Sequence, residues 1–279
     1  MARTYTKQFM AAPGKKIKLK GVSPGFHGSY SSKKEALRDL SRELEKIDKL
    51  QLHMWAQKKH SLLIVLQGLD SAGKDGVIRR VITGMNPQGC TVSGFKPPTE
   101  EELDHDFLWR VHPRAPAKGM VAVFNRSHYE DVLAVRVHKL VPKKQWKARY
   151  GEINDFERLL YRDNNTTILK FFLHISKEEQ LARFAKRLDD PSHNWKISEA
   201  DYTERQYWGA YIDAFEEMLR ETSTEHAPWF IIPANHKWFC HLAISKILVE
   251  TMSDMKIEIP KPTVDLREIR RKYHAATAL

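Results

Sequence analysis

The stretch LIVLQGLDSAGKDG, residues 63–76, decides the fold. Its apolar beginning is short and ends at Gly68, which is typical of a buried strand, and a helix is predicted to begin at Lys74. Gly68, Gly73 and Lys74 follow the spacing G-x4-G-K of a phosphate-binding loop. In such a loop the backbone N–H groups point inward and bind phosphate oxygens. We therefore predict a phosphate-binding site here, the alternative being an ordinary strand–turn–helix connection.

Two carboxylates distinguish this loop from the usual one. Asp75 stands where a Ser or Thr that ligates Mg²⁺ normally follows the lysine, and Asp70 lies inside the loop. Mg²⁺ prefers oxygen ligands and bridges one or two carboxylates to substrate phosphates. Asp70 is therefore predicted to ligate the metal or to orient the attacking phosphate, unless it only forms the turn. Asp75 is predicted either to cap the start of the helix or to bind the metal through water.

Apolar strands and helical patterns alternate along the rest of the chain. Buried strands are predicted at residues 61–67, 120–124, 166–175 and 229–233, with a weak strand at 91–95. Helices are predicted at 33–59, 74–84, 99–112, 128–139, 143–163, from Ser176 onward, and from the fourth buried strand to about residue 252. Strands that alternate with helices predict an α/β fold whose parallel sheet is covered on both faces.

Composition limits the remaining classes. The chain has 279 residues, 42% of them apolar and 29% charged, which is enough for one large domain with a full core. It lacks an apolar run that would span a membrane and the apolar core of a secretory signal. Cys90 and Cys240 lack the spacing of a metal motif, which favours a reduced, cytoplasmic protein. The net charge is +11, but residues 1–34 supply eight basic residues and no acid, so it is weak evidence for a nucleic-acid surface.

A second polar cluster follows the strand in VAVFNRSHYEDVL, residues 121–133. Ligands of open α/β sheets bind at the carboxyl ends of the strands. Asn125 stands in the place of a metal-binding aspartate, and Arg126 can clamp phosphate with its fork of donors, unless it forms a structural salt bridge. Glu130 is predicted to face the same crevice or the solvent.

A third basic segment is RFAKRLDDPSHNWKIS, residues 183–198. Arg183, Lys186 and Arg187 share one helical stripe, and Lys196 lies across a loop that contains proline and serine. This pattern fits a mobile lid that covers phosphates and excludes water, although a solvated basic helix face has the same spacing. Arg110, shortly before the second buried strand, is predicted to extend the basic track.

Together these segments resemble the polyphosphate kinase 2 family. The resemblance rests on GLDSAGKDG as the phosphate-binding loop, FNRSHYED as the second motif and RLDDPSHNWKIS as the lid, and it covers roughly residues 33–255. It implies a thymidylate-kinase-like P-loop fold. We therefore expect a basic, irregular arm at 1–32, a P-loop kinase domain at 33–258 with its lid at about 183–208, and a charged tail at 259–279.

The resemblance also implies an activity and a set of site residues. The activity is a direct phosphoryl transfer, dependent on Mg²⁺ or alternatively Mn²⁺, between inorganic polyphosphate and AMP or ADP (or GMP or GDP), which forms ADP and ATP. The implied catalytic residues are Asp70, Lys74 and Arg126. The implied phosphate-binding and polyphosphate-binding residues are Gly68, Gly73, Lys74, Asp75, Arg110, Arg126, Arg183, Arg187 and Lys196. The candidate metal ligands are Asp70, Asp75 and Asn125, of which Asn125 departs from the aspartate of other branches.

The form NRSHYED resembles the subgroup that phosphorylates both nucleoside monophosphates and diphosphates, and Glu130 occupies its variable position. The expected partners are these nucleotides and polyphosphate, without a membrane or a specific nucleic acid, and a second copy of the chain that packs through the helix at 33–57. Two alternatives remain, an ATP-dependent nucleoside monophosphate kinase and a P-loop protein that binds nucleic acid through the basic arm.

Overall fold

The strands form one parallel sheet. The structure is a computed structural model that describes residues 4–192, 194–196 and 198–277. The strands are β1 (Ser61–Gln67), β2 (Cys90–Gly94), β3 (Val121–Asn125), β4 (Thr166–His174) and β5 (Trp229–Pro233). Their order across the sheet is β2-β3-β1-β4-β5, and every neighbouring pair is parallel. The predicted strands and the α/β, P-loop kinase-like class are confirmed.

Helices cover both faces of this sheet. Their bounds are α1 Thr4–Phe9, α2 Lys33–Gln57, α3 Lys74–Val81, α4 Glu100–Leu103, α5 Ala134–Val137, α6 Lys143–Asn164, α7 Lys177–Asp189, α8 Glu199–Arg205, α9 Trp208–Thr222, α10 Lys237–Asp254 and α11 Leu266–Ala276. None of the helices in the described ranges combines the length and the apolarity that crossing a bilayer requires.

Each face of the sheet has its own hydrophobic core. On one face α2, α3 and α10 pack against the sheet, with Ile47 and Ile244 at its centre. On the other face α6 and α9 pack against it, through side chains such as Phe156 and Phe215. All seven residues of β1 are buried because β1 lies in the middle of the sheet between these two layers. The loop that leaves β1 is therefore held on a rigid central strand.

The N-terminal segment is more ordered than predicted. Residues 4–9 form α1, whose backbone N–H groups at Tyr5 and Thr6 donate to the carboxylate of Glu250 on α10. Phe9 and Leu19 are buried in the two cores. The prediction of an irregular arm over residues 1–32 is therefore wrong for these residues, because isolated apolar side chains among the lysines anchor the segment without showing any periodicity.

Two predicted helices are shorter than their sequence patterns indicate. In the segment 99–112 only Glu100–Leu103 is α-helical, because the Asp106 side chain accepts from the backbone N–H of Leu108 and forms a turn. In the segment 128–139 a 3₁₀ turn at His128–Asp131 precedes the short α5. There the backbone turns so that Tyr129 enters the core. In the charged tail, residues 266–276 form the exposed helix α11.

Candidate active site

The loop between β1 and α3 has the backbone of a tight cradle. Gly68 has φ +155°, and a Cβ at this position would lie 2.9 Å from the carbonyl oxygen of Leu173 on β4. Gly73 has φ +113°, in the left-handed region where residues with side chains are strained. The glycine spacing that identified the loop is thus required by the close approach to β4 and by the turn into α3. The chain then enters α3 with its N–H groups facing the loop.

Lys74 closes this loop. Its Nζ donates to the carbonyl oxygens of Gly68, at 2.7 Å, and Leu69, at 3.3 Å. Burial lowers the pKa of the ammonium, while Asp70 acts in the opposite direction. A poorly solvated ammonium at the mouth of the loop is stabilised more by the negative charge of an incoming phosphate than a fully hydrated ammonium would be.

Asp70 and Arg126 meet across the sheet edge. Arg126 Nη2 donates to Asp70 Oδ1 at 2.6 Å, and both side chains are partly exposed. Arg126 has φ +59°, an unfavourable backbone for a residue with a long side chain, and its N–H is bound to the carbonyl of Leu66 on β1. Burial opposes the charge of Arg126, but Glu130 and Asp70 together raise its pKa. The structure therefore brings the predicted catalytic residues Asp70 and Arg126 into direct contact.

Asp75 and Asn125 also meet. Asn125 Nδ2 donates to Asp75 Oδ1 at 2.9 Å, which joins the start of α3 to the end of β3. The predicted oxygen ligands thus lie on adjoining segments, namely the loop, the start of α3 and the end of β3. Within the described residues no group of three or more His, Cys, Asp or Glu side chains forms a ready-made metal cluster. The donor set fits Mg²⁺, which keeps several waters and takes one or two protein carboxylates together with substrate phosphates.

Glu130 lies beside the two cations. Burial raises the pKa of its carboxyl, and Arg126 and Lys74 pull it back down. In the amide orientation that satisfies both of its polar atoms, Gln67 at the end of β1 donates to Glu130 at 3.2 Å. Glu130 therefore faces the crevice rather than the solvent, which is one of the two orientations predicted from the sequence.

The side chain of Arg183 is buried under the phosphate-binding loop. Its side chain is only 5% exposed, and it donates to Glu179 and to the carbonyl oxygens of Ser71, Ala72, Ala234 and Asn235. This fork uses all three nitrogens of the guanidinium. The structure therefore places the donors of Arg183 on oxygens of the protein, and the predicted contact of Arg183 with polyphosphate stays a prediction. Its place under the loop makes it a clamp that joins the loop to the end of β5.

The other basic residues of the predicted track are Arg110, Arg187 and Lys196. Arg110 donates to Glu102 at 3.1 Å and to the carbonyl of Lys96, so part of its charge is already used. Arg187 is half-buried one turn beyond the clamp on α7. The side chain of Lys196 lies outside the described residues. Binding of phosphate by these three residues stays a prediction.

A cleft of about 430 Å³ opens from the loop. Its polar wall includes Asp70, Arg126 and Glu130, and its apolar wall includes Leu133, Trp208 and Phe215. The cleft therefore offers both charged groups and apolar surface to a ligand.

Sequence reasoning missed Gln180, whose side chain donates to the carbonyl of Asp70 and accepts from Arg205 on α8. The sequence contains a pattern that could have identified Gln180, because Gln180 and Arg183 are three residues apart on one helix and share a face.

Comparisons with known proteins agree with this geometry. The family model described as polyphosphate kinase 2 matches residues 30–260. An AMP/ADP-polyphosphate phosphotransferase of Meiothermus ruber is 48% identical over 260 residues, which are 92% of this chain and 96% of the relative. An ADP-polyphosphate phosphotransferase of Rhodopseudomonas palustris is 44% identical over 92% of this chain and 93% of its own length.

A solved structure leads to the same family. The crystal structure of polyphosphate kinase 2 from Arthrobacter aurescens TC1 superposes with a TM-score of 0.91 at 40% identity, over 94% of both chains. The match of the family model and the two relatives each cover nearly the whole folded core. The chain belongs to the polyphosphate kinase 2 family.

Proposed function

We propose that this protein transfers phosphoryl groups between inorganic polyphosphate and nucleoside monophosphates and diphosphates, forming ADP and ATP from AMP and ADP. The observation that carries the proposal is the joining of Asp70 to Arg126 at the mouth of a loop closed by Lys74. A loop that brings two polyanions together needs cations on both sides of the reacting phosphates and a carboxylate that orients them. The names of the two relatives, an AMP/ADP-polyphosphate phosphotransferase and an ADP-polyphosphate phosphotransferase, support the same reaction.

The proposal includes a divalent cation, Mg²⁺ or alternatively Mn²⁺. Asp70, with Asp75 and Asn125 beside it, would hold the ion. When bound, the ion neutralises charge on the phosphates and so lets two anionic substrates approach each other.

The side chains of the protein act by binding and orienting. The N–H groups at the start of α3 and the ammonium of Lys74 hold the transferred phosphoryl group, and Arg126 stabilises the charge that its oxygens share in the transition state. Asp70 holds Arg126 in place and leaves its second oxygen for the metal. Transfer is direct and in line, and its rate comes from positioning and charge stabilisation rather than from a covalent intermediate on the protein.

Glu130 is proposed to influence the choice of acceptor. Its carboxylate lies on the polar wall of the cleft, close to Arg126 and Lys74. A monophosphate acceptor brings less negative charge to this wall than a diphosphate does, so the balance between Glu130 and the two cations affects the two acceptors differently. The apolar wall of the cleft suits a nucleotide base.

The proposed setting is a reducing compartment and an assembly of identical chains. Cys90 and Cys240 are free thiols, which agrees with a reducing compartment such as the cytoplasm. A second copy of the chain is proposed to pack against α2, on whose surface Leu52 is exposed.

A matrix of donors and acceptors tests the proposed function. Polyphosphate or ATP is supplied as donor to AMP, ADP, GMP or GDP, with Mg²⁺ or with a chelator, and the products are separated and counted. We expect ADP and ATP from AMP and polyphosphate alone, and no product with the chelator. Product formation only with ATP as donor would instead identify an ATP-dependent nucleoside monophosphate kinase.

A further inference from the structure

A second basic concavity lies outside the catalytic cleft. It is an open groove of about 710 Å³ between α5 and the start of α6, and we call it the lysine groove. Its basic lining residues are Arg136, Lys139, Lys143 and Lys147, and its acidic lining residue is Glu217. We propose that the lysine groove binds the distal part of a polyphosphate chain whose end is in the catalytic cleft. This inference rests on the proposed function and adds a binding surface to it.

Two of the four cations of the groove share one carboxylate, and the other two are available to a ligand. Arg136 is paired with Glu217 at 2.7 Å and stacks over the ring of Trp146, which forms the floor. Lys147 lies 3.9 Å from the same carboxylate. Lys139 and Lys143 are exposed and have no ion-pair partner within the described part of the chain. One carboxylate thus faces four cations, and the groove has a positive excess.

The start of α6 adds to this excess. The helix has 22 residues, yet its first turn carries Lys143 and Lys144 and no acid, and its N-cap, Pro142, makes no side-chain hydrogen bond. Cations at a helix N-terminus are unfavourable because they repel the positive end of the helix dipole. A bound anion removes this conflict, because it accepts from the first N–H groups and pairs with the lysines at the same time.

The groove adjoins the catalytic cleft. The short helix α5 separates them, since Ala134 lines the cleft whereas Arg136 lines the groove. The same holds for α9, where Phe215 faces the cleft and Glu217 faces the groove. A chain that leaves the cleft has to pass over α5, a helix about 10 Å across, to reach the lysines.

The shape of the groove selects a polymer over a compact anion. Lys143 and Lys147 are one helix turn apart on the same face of α6, with an axial separation of about 6 Å. A single phosphate cannot contact all of the cations at once, because they are spread along the groove. A polymer with a charge on every unit can pair with them in succession. Polyphosphate is such a polymer and is the substrate proposed for the neighbouring cleft.

Three lysines test this proposal together. The groove variant replaces Lys139, Lys143 and Lys147 with Gln. The control variant replaces Lys7, Lys59 and Lys118 with Gln, which removes the same charge from exposed positions on α1 and just before the amino ends of β1 and β3. For each protein, KM is measured with long-chain and with short-chain polyphosphate, and binding of long-chain polyphosphate is measured at several salt concentrations. Melting temperatures check folding.

We expect the groove variant to raise KM for the long chain about tenfold, from three exposed charge contacts. KM for the short chain changes much less, so the ratio of the two KM values rises. The slope of the logarithm of the binding constant against the logarithm of the salt concentration falls in magnitude by about 2. Each of the three lost charge contacts with a flexible anionic strand lowers this slope by about 0.7. The control variant keeps the wild-type values.

An unchanged ratio and an unchanged salt slope in the groove variant would overturn the proposal. An equal change in the control variant would overturn it too, because the effect would then come from net charge alone. If wild-type protein shows no turnover with polyphosphate, the proposed function fails, and the binding measurement still decides the groove. Tight binding of AMP that the groove variant loses would assign the groove to a nucleotide and also contradict the inference.

Discussion

Replacing Arg183 distinguishes a clamp from a phosphate ligand. Arg183→Met removes both the charge and the fork of donors, and Arg183→Lys keeps the charge but cannot reach several carbonyl oxygens at once. In the structure the fork binds four carbonyl oxygens and Glu179. If Arg183 acts as a clamp, the two variants behave alike. If it acts through its charge on polyphosphate, Arg183→Lys retains most of the function.

The magnitude follows from the hydrogen bonds that would be lost. The bonds of Arg183 to the carbonyl oxygens of Ala72 and Ala234 are buried, at 2.9 and 2.5 Å. A buried acceptor left without a partner costs about 1–3 kcal/mol, so these two together cost about 2–6 kcal/mol of unfolding free energy. For a chain of this size the melting temperature should then fall by roughly 3–10 °C. Looser packing of the loop should also lower kcat.

Thermal unfolding and steady-state kinetics measure both effects. The matched control is Lys186→Met on the same helix, which removes an exposed cation that is not part of the clamp. We expect both Arg183 variants to lose stability and kcat, and the control to lose neither. A folded Arg183→Met protein with an unchanged melting temperature and only a higher KM for polyphosphate would refute the clamp.

Three further changes test the site. Lys74→Ala should lower kcat on the order of 10²-fold or more, because it removes the ammonium at the loop; a loss confined to KM would contradict this role. Glu130→Asn should change the ratio of AMP to ADP use, measured as kcat/KM for each acceptor, and an equal effect on both would remove Glu130 from the selectivity. Burial and the neighbouring cations Arg80 and Lys237 lower the pKa of His241 to about 4. The contribution of neutral His241 to stability is therefore present above pH 6.5 and is lost as the pH falls towards 4, by at most about 3 kcal/mol. The melting temperature of His241→Gln should therefore fall less than that of the wild type over this pH interval, and parallel curves for the two proteins would refute this expectation.

The fold was predictable because its strongest signals are local. The predicted strand 61–67 is β1 as observed, since a strand buried on both faces reads as a continuous apolar run. Gly68 and Gly73 marked the loop because only glycine fits their backbones. Helix lengths were less predictable at 99–112 and 128–139, where side chains compete for the backbone N–H groups through Asp106 and Ser127.

The site was predictable in its composition but not in its pairings. Strand order determines that the ends of β1 and β3 are neighbours, and so brings Asp70 to Arg126, and a single sequence does not contain that order. The direction of Arg183 was missed for a similar reason. A stripe of basic residues at helical spacing does not show which members pack inward, and here Arg183 is buried together with Phe184 while Lys186 is exposed.

The central claim is that Asp70, paired with Arg126 beside Lys74, supports transfer from polyphosphate. The most direct measurement is the rate of ADP formation from AMP with polyphosphate as the only donor, in the wild type and in Asp70→Asn. The wild type should form ADP without ATP, and Asp70→Asn should lose activity on the order of 10²-fold or more at an unchanged melting temperature. No ADP from the wild type, or near-normal activity in the folded Asp70→Asn protein, would contradict the account.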